Sequence, residues 1–226
     1  MARYAVGDIH GCCKTFKKLV QTLALKKEDQ LYLLGDLVNK GPDSKGVLDY
    51  IFELKKEGYK IISVRGNHDQ MLINAWHGKD SSFWRSEHGK VLTLVSFGVK
   101  EASEIPEAYI LYLKKLPFYL ELDRFFLVHA GLNYDLADPF TDLKSMISIR
   151  KYVNHPERIG NKILIHGHVP TPFSKISNME KKEINLDTGC VYYKNEQLGL
   201  LTSLNLETME FICEKNVDQP YMIELK

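Results

Sequence analysis

Five short apolar runs in this 226-residue chain each stop at residues able to hold a metal ion or a phosphate. Arg3–Val6 leads into Gly7-Asp8-Ile9-His10-Gly11, and residues 31–34 lead into Gly35-Asp36. Residues 61–64 lead into Arg65-Gly66-Asn67-His68-Asp69, Phe125–Val128 into His129-Ala130-Gly131, and 163–165 into His166-Gly167-His168. Runs of this length, rich in Val, Ile, Leu and aromatics, read as buried strands. Between the first three lie segments of helical spacing. Phe16, Leu19, Val20 and Leu23 share a face of residues 14–25, and Val47, Leu48, Ile51 and Leu54 share a face of residues 44–56. Strand, helix, strand, helix, strand at this spacing predicts an α/β fold with parallel strands and crossover helices. Open α/β folds bind ligands at the carboxyl ends of their strands, so the five groups are expected on one rim of a sheet.

The rest of the chain is less regular. A helix is expected to continue from the third motif through residues 71–76, followed by a polar stretch at 78–82. Residues 107–116 read as a helix that Pro117 ends. Residues 118–122 and 124–128 read as neighbouring strands, and the loop-rich 133–161 is expected to overhang the site. After Gly167 the chain reads as antiparallel, with strands at 184–187, 198–204 and 209–214. No repeat or low-complexity break divides the sequence, which predicts one domain over residues 1–226.

Composition narrows the classes. The chain is 44% hydrophobic and 26% charged, as globular domains are. A net charge of +1 gives no strong field to recruit nucleic acid or an anionic membrane, and no run interleaves basic and aromatic residues. No apolar stretch approaches the ~20 residues of a bilayer span. Residues 1–7 lack the basic and apolar regions of a secretory signal. Cys12, Cys13, Cys190 and Cys213 form no C-x-x-C pair, and the expectation is reduced, structural thiols in a cytoplasmic protein.

Asp8 and His10 alternate in what reads as extended chain, so both side chains would share a face and could grip one cation. Asp36 could grip the same cation and bridge to a second, which Asn67, His129 and His168 could complete. His166, two positions earlier, could replace His168. Mixed Asp, Asn and His ligation suits Mn²⁺, Fe or Zn²⁺ better than Mg²⁺. Two cations sharing a carboxylate would acidify a bridging water into the nucleophile and align a phosphoryl group for in-line attack. His68 is the candidate general acid for the leaving oxygen. Arg65, Lys40 and Arg150 are candidate phosphate clamps. His77 and His88 read as solvated or structural.

The motifs GDIHG, GDLVNKGPDS, RGNHD, HAG and GHVP, with Asp187-Thr188-Gly189 near their end, resemble the calcineurin-like metallophosphoesterases. Within that family they resemble the phosphoprotein phosphatase branch, which holds bacterial and phage serine/threonine protein phosphatases and symmetrical diadenosine tetraphosphate hydrolases. The resemblance implies a four-layer β-sandwich flanked by helices, with two metals at the strand ends. It implies Asp8, His10 and Asp36 at the first metal, a bridging Asp36, and Asn67, His129 and His168 at the second. His68 matches the family's acid histidine, Arg65 a phosphate-binding arginine, and Arg150 a further arginine of the bacterial phosphatases. Where that branch usually has Asp-Arg after GDxV, this chain has Asn39-Lys40. Asn39 can orient His68 but cannot support its positive charge, and Lys40 offers a point charge in place of a fork. The expectation is a serine/threonine protein phosphatase acting on phosphoproteins. The alternative is a symmetrical bis(5'-nucleosyl)-tetraphosphatase acting on dinucleoside polyphosphates, which the VNKGPDS segment resembles.

Overall fold

Three strands and two helices open the chain in strict alternation: β1 (Arg3–Val6), α1 (Cys13–Leu23), β2 (Gln30–Leu33), α2 (Ser44–Lys56) and β3 (Lys60–Ser63). The computed structural model describes residues 1–79, 88–178 and 182–219. β1, β2 and β3 pair in parallel, with Tyr4 opposite Leu31 and Leu31 opposite Ile61. α1 stops where Ala24 turns left-handed at φ 47°. The Asp43 carboxylate caps α2 by accepting from the Gly46 N–H at 2.7 Å, and Lys55 and Lys56 suit the negative end of its dipole.

The chain continues through α3 (Asn67–Trp76), α4 (His88–Phe97), α5 (Glu107–Lys115), β4 (Tyr119–Glu121), β5 (Phe125–Val128) and α6 (Leu143–Ser148). It ends in β6 (Ile163–His166), β7 (Ser177–Asn178), β8 (Glu183–Asn185), β9 (Leu200–Asn205) and β10 (Phe211–Lys215). Among the described residues these strands form two sheets, ordered β10-β9-β1-β2-β3 and β4-β5-β6-β8-β7.

Period-two alternation explains the layering. On β2, Leu31 and Leu33 face a core shared with α1, α2, α3 and α5, while Tyr32 joins Ala5, Phe125, Leu127, Ile165 and Ile184 between the sheets. On β5, Phe125 and Leu127 face that inter-sheet core, and Phe126 and Val128 pack outward with Met146 of α6. Helices, sheet, sheet, then helix and loops give the expected four-layer α/β sandwich. A fully buried side chain such as Leu127 contributes roughly 1.5–3 kcal/mol through burial.

Several expectations change. The five motifs do not share one rim: β1, β2 and β3 belong to one sheet, and β5 and β6 to the other. The tail is not wholly antiparallel. The chain reverses twice after β6, so β8 lies parallel to it, Ile165 opposite Ile184, and β7 runs antiparallel to β8. Residues 133–161 contain α6, which Asp142 caps through the Ser145 N–H at 3.0 Å. Asp80–Ser82 of the expected polar stretch lie outside the described residues, as does the His88 side chain. His77 is exposed beside Trp76. All four cysteines are free thiols. No helix among the described residues is long and apolar enough to cross a membrane.

Candidate metal centre

Sharp turns, not continued strands, present the candidate ligands. His10, Asp36 and His168 have φ of 48°, 48° and 73°, in the left-handed region that costs a non-glycine residue about 1 kcal/mol or more. Asp8 and His10 therefore meet through a turn, and the period-two argument for them does not hold. Hydrogen bonds fix these turns: the His10 N–H donates to the Asp36 carbonyl at 2.8 Å, and the Gly167 N–H to the His129 carbonyl at 2.8 Å. Two glycines let backbone press on carboxylates. A Cβ on Gly66 would lie 2.1 Å from Asp36 Oδ1, and one on Gly167 would lie 2.1 Å from Asp8 Oδ1.

The result is a tight cluster of donor atoms. His10 Nδ1 lies 3.3 Å from the Val38 carbonyl, which turns Nε2 inward, 3.5 Å from Asp36 Oδ2 and 3.8 Å from Asp8 Oδ2. His129 Nδ1 lies 2.8 Å from the Leu34 carbonyl, and its Nε2 lies 3.0 Å from Asn67 Oδ1 and 3.4 Å from Asp36 Oδ1. His168 Nδ1 lies 2.9 Å from the same Asn67 oxygen, and its backbone N–H donates to Asp8. Two side-chain groups, His10 with Asp36 and His68, and Asp36 with His129 and His168, each bring their ligand atoms within 4.8 Å of one another. Asp36 belongs to both.

These residues fit a pair of divalent cations. Donors each ~2.0–2.2 Å from a shared ion stand roughly 3–3.5 Å apart, as most of these do. An imidazole whose Nδ1–H is held by a backbone carbonyl presents an oriented Nε2 lone pair. Burial, with Lys40 nearby, pushes the His10 and His68 pKa values well down, and burial lowers His129 and His168 to about 3, which leaves all four neutral. Burial, then the charges of Asp187 and Asp36, pushes Asp8 well above the usual carboxylate range. Crowded buried carboxylates beside neutral imidazoles are the surroundings a cation stabilises.

The other expected residues separate. The His68 N–H donates to Asp36 Oδ1 at 2.8 Å, and its ring stands edge-on to His10 at 4.8 Å. Its Nδ1 lies 3.4 Å from Asn39 Nδ2. Lys40 Nζ lies 3.2 Å from His10 Nε2. Burial opposes its charge, but Asp36, Tyr192 and Asp8 outweigh burial and its pKa is raised. Arg150 is exposed after α6, and its charge lowers the pKa of both His68 and His168. Arg65 is engaged at a neighbouring helix end. Its guanidinium donates to Gln70 at 2.9 Å, to the Leu116 carbonyl at 3.1 Å and to the Lys114 carbonyl, so it caps the C-terminal end of α5. His166 pairs with Glu183 at 3.1 Å and belongs to neither donor group.

Three residues that carry no role in the sequence reading join the site. Asp69 accepts from the Leu37 N–H at 3.0 Å and the Gly66 N–H at 2.8 Å, tying the second motif to the third. Its place three residues after Gly66 is capping-box spacing, a signal the sequence contains. Burial, then Asp36, raises its pKa to about 7. Asp187 is buried, accepts from the Gly189 N–H at 2.9 Å through Oδ1, and has no hydrogen-bond partner for Oδ2 among the described residues. Thr93 of α4 donates to Asn39 Oδ1 at 2.8 Å, which turns the Asn39 amide nitrogen toward His68. No local pattern announces Thr93.

Residues 1–209 match the calcineurin-like phosphoesterases, and the chain belongs to that family. The family uses a dinuclear metal site, for which the two donor groups are this chain's candidates. A symmetrical bis(5'-nucleosyl)-tetraphosphatase of Pseudomonas putida is 35% identical over 137 residues, covering 58% of this chain and 43% of that protein. This chain thus spans less than half the length of that relative. The asymmetrical bis(5'-nucleosyl)-tetraphosphatase PrpE of Anoxybacillus flavithermus is 26% identical over 249 aligned positions, covering 97% of this chain and 96% of that protein. A crystal structure described as a candidate diadenosine tetraphosphatase superposes with a TM-score of 0.68 at 25% identity, over 95% of this chain and 93% of that one. A serine/threonine phosphatase of Saccharomyces cerevisiae shares the fold, with a TM-score of 0.65 at 11% identity over 100% of this chain and 82% of that one.

Proposed function

We propose that this chain is a metal-dependent hydrolase of the phosphoanhydride chain in dinucleoside polyphosphates. The observation that carries the reading is Asn39 beside His68, its amide nitrogen 3.4 Å from Nδ1. A neutral amide orients the imidazole without supporting a positive charge on it. A leaving alkoxide, as from a phosphoserine, needs a full proton, whereas a leaving phosphate is a weak base and needs less help. Relatives named as bis(5'-nucleosyl)-tetraphosphatases, one aligned over 97% of the chain, support this reading better than the expected protein phosphatase.

In this proposal Asp8, His10 and Asp36 hold one ion, and Asp36, Asn67, His129 and His168 the other, with Mn²⁺ the first candidate and Fe or Zn²⁺ the alternatives. Bound there, the cations would polarise the phosphoryl oxygens and neutralise their charge. Asn39 donates to His68 Nδ1, which leaves the proton on Nε2 for the leaving phosphate oxygen. Lys40 supplies a point charge that successive phosphates of a chain can share, and Arg150 supplies a guanidinium from the exposed side. The exposed Arg150, whose charge reaches His68 and His168, favours a phosphoserine or phosphothreonine substrate.

The test compares initial rates of one Mn²⁺-loaded preparation on diadenosine tetraphosphate and on a phosphothreonine peptide at equal concentration. Faster cleavage of the dinucleotide is expected, and faster dephosphorylation of the peptide overturns the reading. The products distinguish the mode: two ADP for symmetrical cleavage, AMP and ATP for asymmetrical.

A further inference from the structure

A pocket opens at the loop that follows Asp187-Thr188-Gly189. Pro170, Val191, Tyr192, Tyr193, Lys194, Asn195 and Leu198 line a cavity of about 360 Å³, with Lys194 Nζ 6.0 Å from the centre of the Tyr193 ring. That lies within the roughly 300–1,000 Å³ of small-molecule sites, and an apolar, aromatic lining is what such sites share. We propose that this pocket binds one nucleobase of the substrate, with the Tyr192 and Tyr193 rings as its stacking surface. The proposal rests on the dinucleotide reading for the identity of the ligand.

Position favours a base over any other group. Lys40 Nζ lies 3.2 Å from His10 Nε2 and 5.6 Å from the centre of the Tyr192 ring. Together these distances place the ring centre no more than about 9 Å from His10 Nε2. That is within the reach of one nucleotide, from its outer phosphorus to its base. Lys40 is therefore close to both a candidate metal ligand and the ring, where its charge could serve the phosphates of a bound nucleotide. Pro170, also in the lining, follows His168 by two residues, and Asn185 Nδ2 donates to the intervening Val169 carbonyl at 2.8 Å. Tyr192 of the lining is thus near Lys40, and Pro170 is close in sequence to a candidate metal ligand.

The pocket is also held in shape. The Tyr192 N–H donates to the Gly189 carbonyl at 2.8 Å, the Asn195 N–H to the Tyr192 carbonyl at 2.9 Å, and the Leu198 N–H to the Asn195 carbonyl at 3.1 Å. These successive turns fix the loop after Asp187-Thr188-Gly189 without help from a ligand, and preorganisation lowers the cost of binding. Tyr192 remains 40% exposed, a large aromatic surface left to solvent beside a charged site. Aromatic rings stack on any base, because every base has a π face.

Calorimetric titration of the Mn²⁺-loaded protein with AMP and with inorganic phosphate tests this without relying on turnover. AMP is expected to bind on the order of ten- to a hundredfold more tightly than phosphate, the range that base stacking provides. In the double variant Tyr192→Ala, Tyr193→Ala the AMP-to-phosphate ratio should collapse toward one. Tyr192→Trp should preserve it. Should the double variant not fold, Tyr193→Ala alone should still lower the ratio. A ratio near one in the wild type, or one unchanged by the alanine variants, overturns the proposal. So does a phosphothreonine peptide that binds more tightly than AMP and loses that advantage in the double variant. A high, tyrosine-dependent ratio in a protein that does not cleave diadenosine tetraphosphate keeps the base site and removes the proposed reaction. Cleavage with a ratio near one does the reverse.

Discussion

The metal-facing side of the site and its substrate-facing side are made from different kinds of chain. Asp8, Asp36, Asn67, His129 and His168 each stand within four residues of a strand's last residue, and His10 is set by the same turn as Asp8. All but Asn67 are buried, and backbone hydrogen bonds hold their turns. Arg150 follows the six-residue α6, and Tyr192 sits in a loop; both are exposed. A ligand at a strand end inherits the rigidity of its sheet, whereas a side chain on a surface loop can be exchanged without disturbing the core. The first side fits the chemistry of the family. On the proposed reading, the second is where a particular substrate is selected.

Substitution should separate the two sides. The largest effect is expected at Asp36, which among the described residues is the one shared by both donor groups. Asp36→Asn removes a charge shared by two sites and should lower kcat/KM on the order of a thousandfold or more, with a loss of bound metal. Elemental analysis beside kinetics checks this, and near-normal activity at full metal content refutes the bridging role. His68→Asn comes next. It should cut kcat by roughly two to four orders of magnitude, the usual range for a general acid, at unchanged metal content. Metal loss in that variant would move His68, which shares a donor group with His10 and Asp36, to the ligand side of the comparison.

The same division governs what could be read from the residues. The parallel β1-β2-β3 unit and its crossover helices were legible because each strand and helix carries its own period, and α2 begins and ends where its pattern does. The candidate ligands were legible because each sits in a short motif with its own glycine. Their assembly was not. That the motifs come from two sheets follows from inter-sheet packing of Ala5, Tyr32, Phe125 and Ile165, which no local pattern encodes. The extended reading of Asp8 and His10 failed because the His10 backbone is held by the Asp36 carbonyl, a partner from another strand end. Arg65 sits in the most recognisable motif, yet its guanidinium meets carbonyls at the end of a helix some fifty residues later. Thr93 reaches Asn39 across 54 positions, and nothing near either residue signals the pair.

The smallest expected effect sharpens the comparison best, because it touches the substrate side through the backbone alone. Asp142 caps α6, accepting from the Ser145 N–H at 3.0 Å, the Ser145 hydroxyl at 2.7 Å and the Asn133 amide at 3.0 Å. The Ser145 hydroxyl first, then Asn133 and the Ser145 N–H, hold its carboxyl at about 2. A folded pKa below the unfolded value means that this contribution is complete above the ordinary carboxylate range and is lost as pH falls toward 2. Asp142→Ala should cost about 0.5–2 kcal/mol at neutral pH, as lost caps do. The gap between wild-type and variant urea midpoints should narrow as the pH is lowered toward 2, and a gap that widens there would contradict the assignment. Because α6 leads into Arg150, loosening it should raise KM more than it lowers kcat. The Met146 carbonyl of α6 also accepts from the Ala130 N–H, one residue beyond His129, at 2.8 Å. If metal affinity falls along with KM in this variant, strain passes from the loop to the rim through that hydrogen bond, and the two sides are less independent than their construction implies.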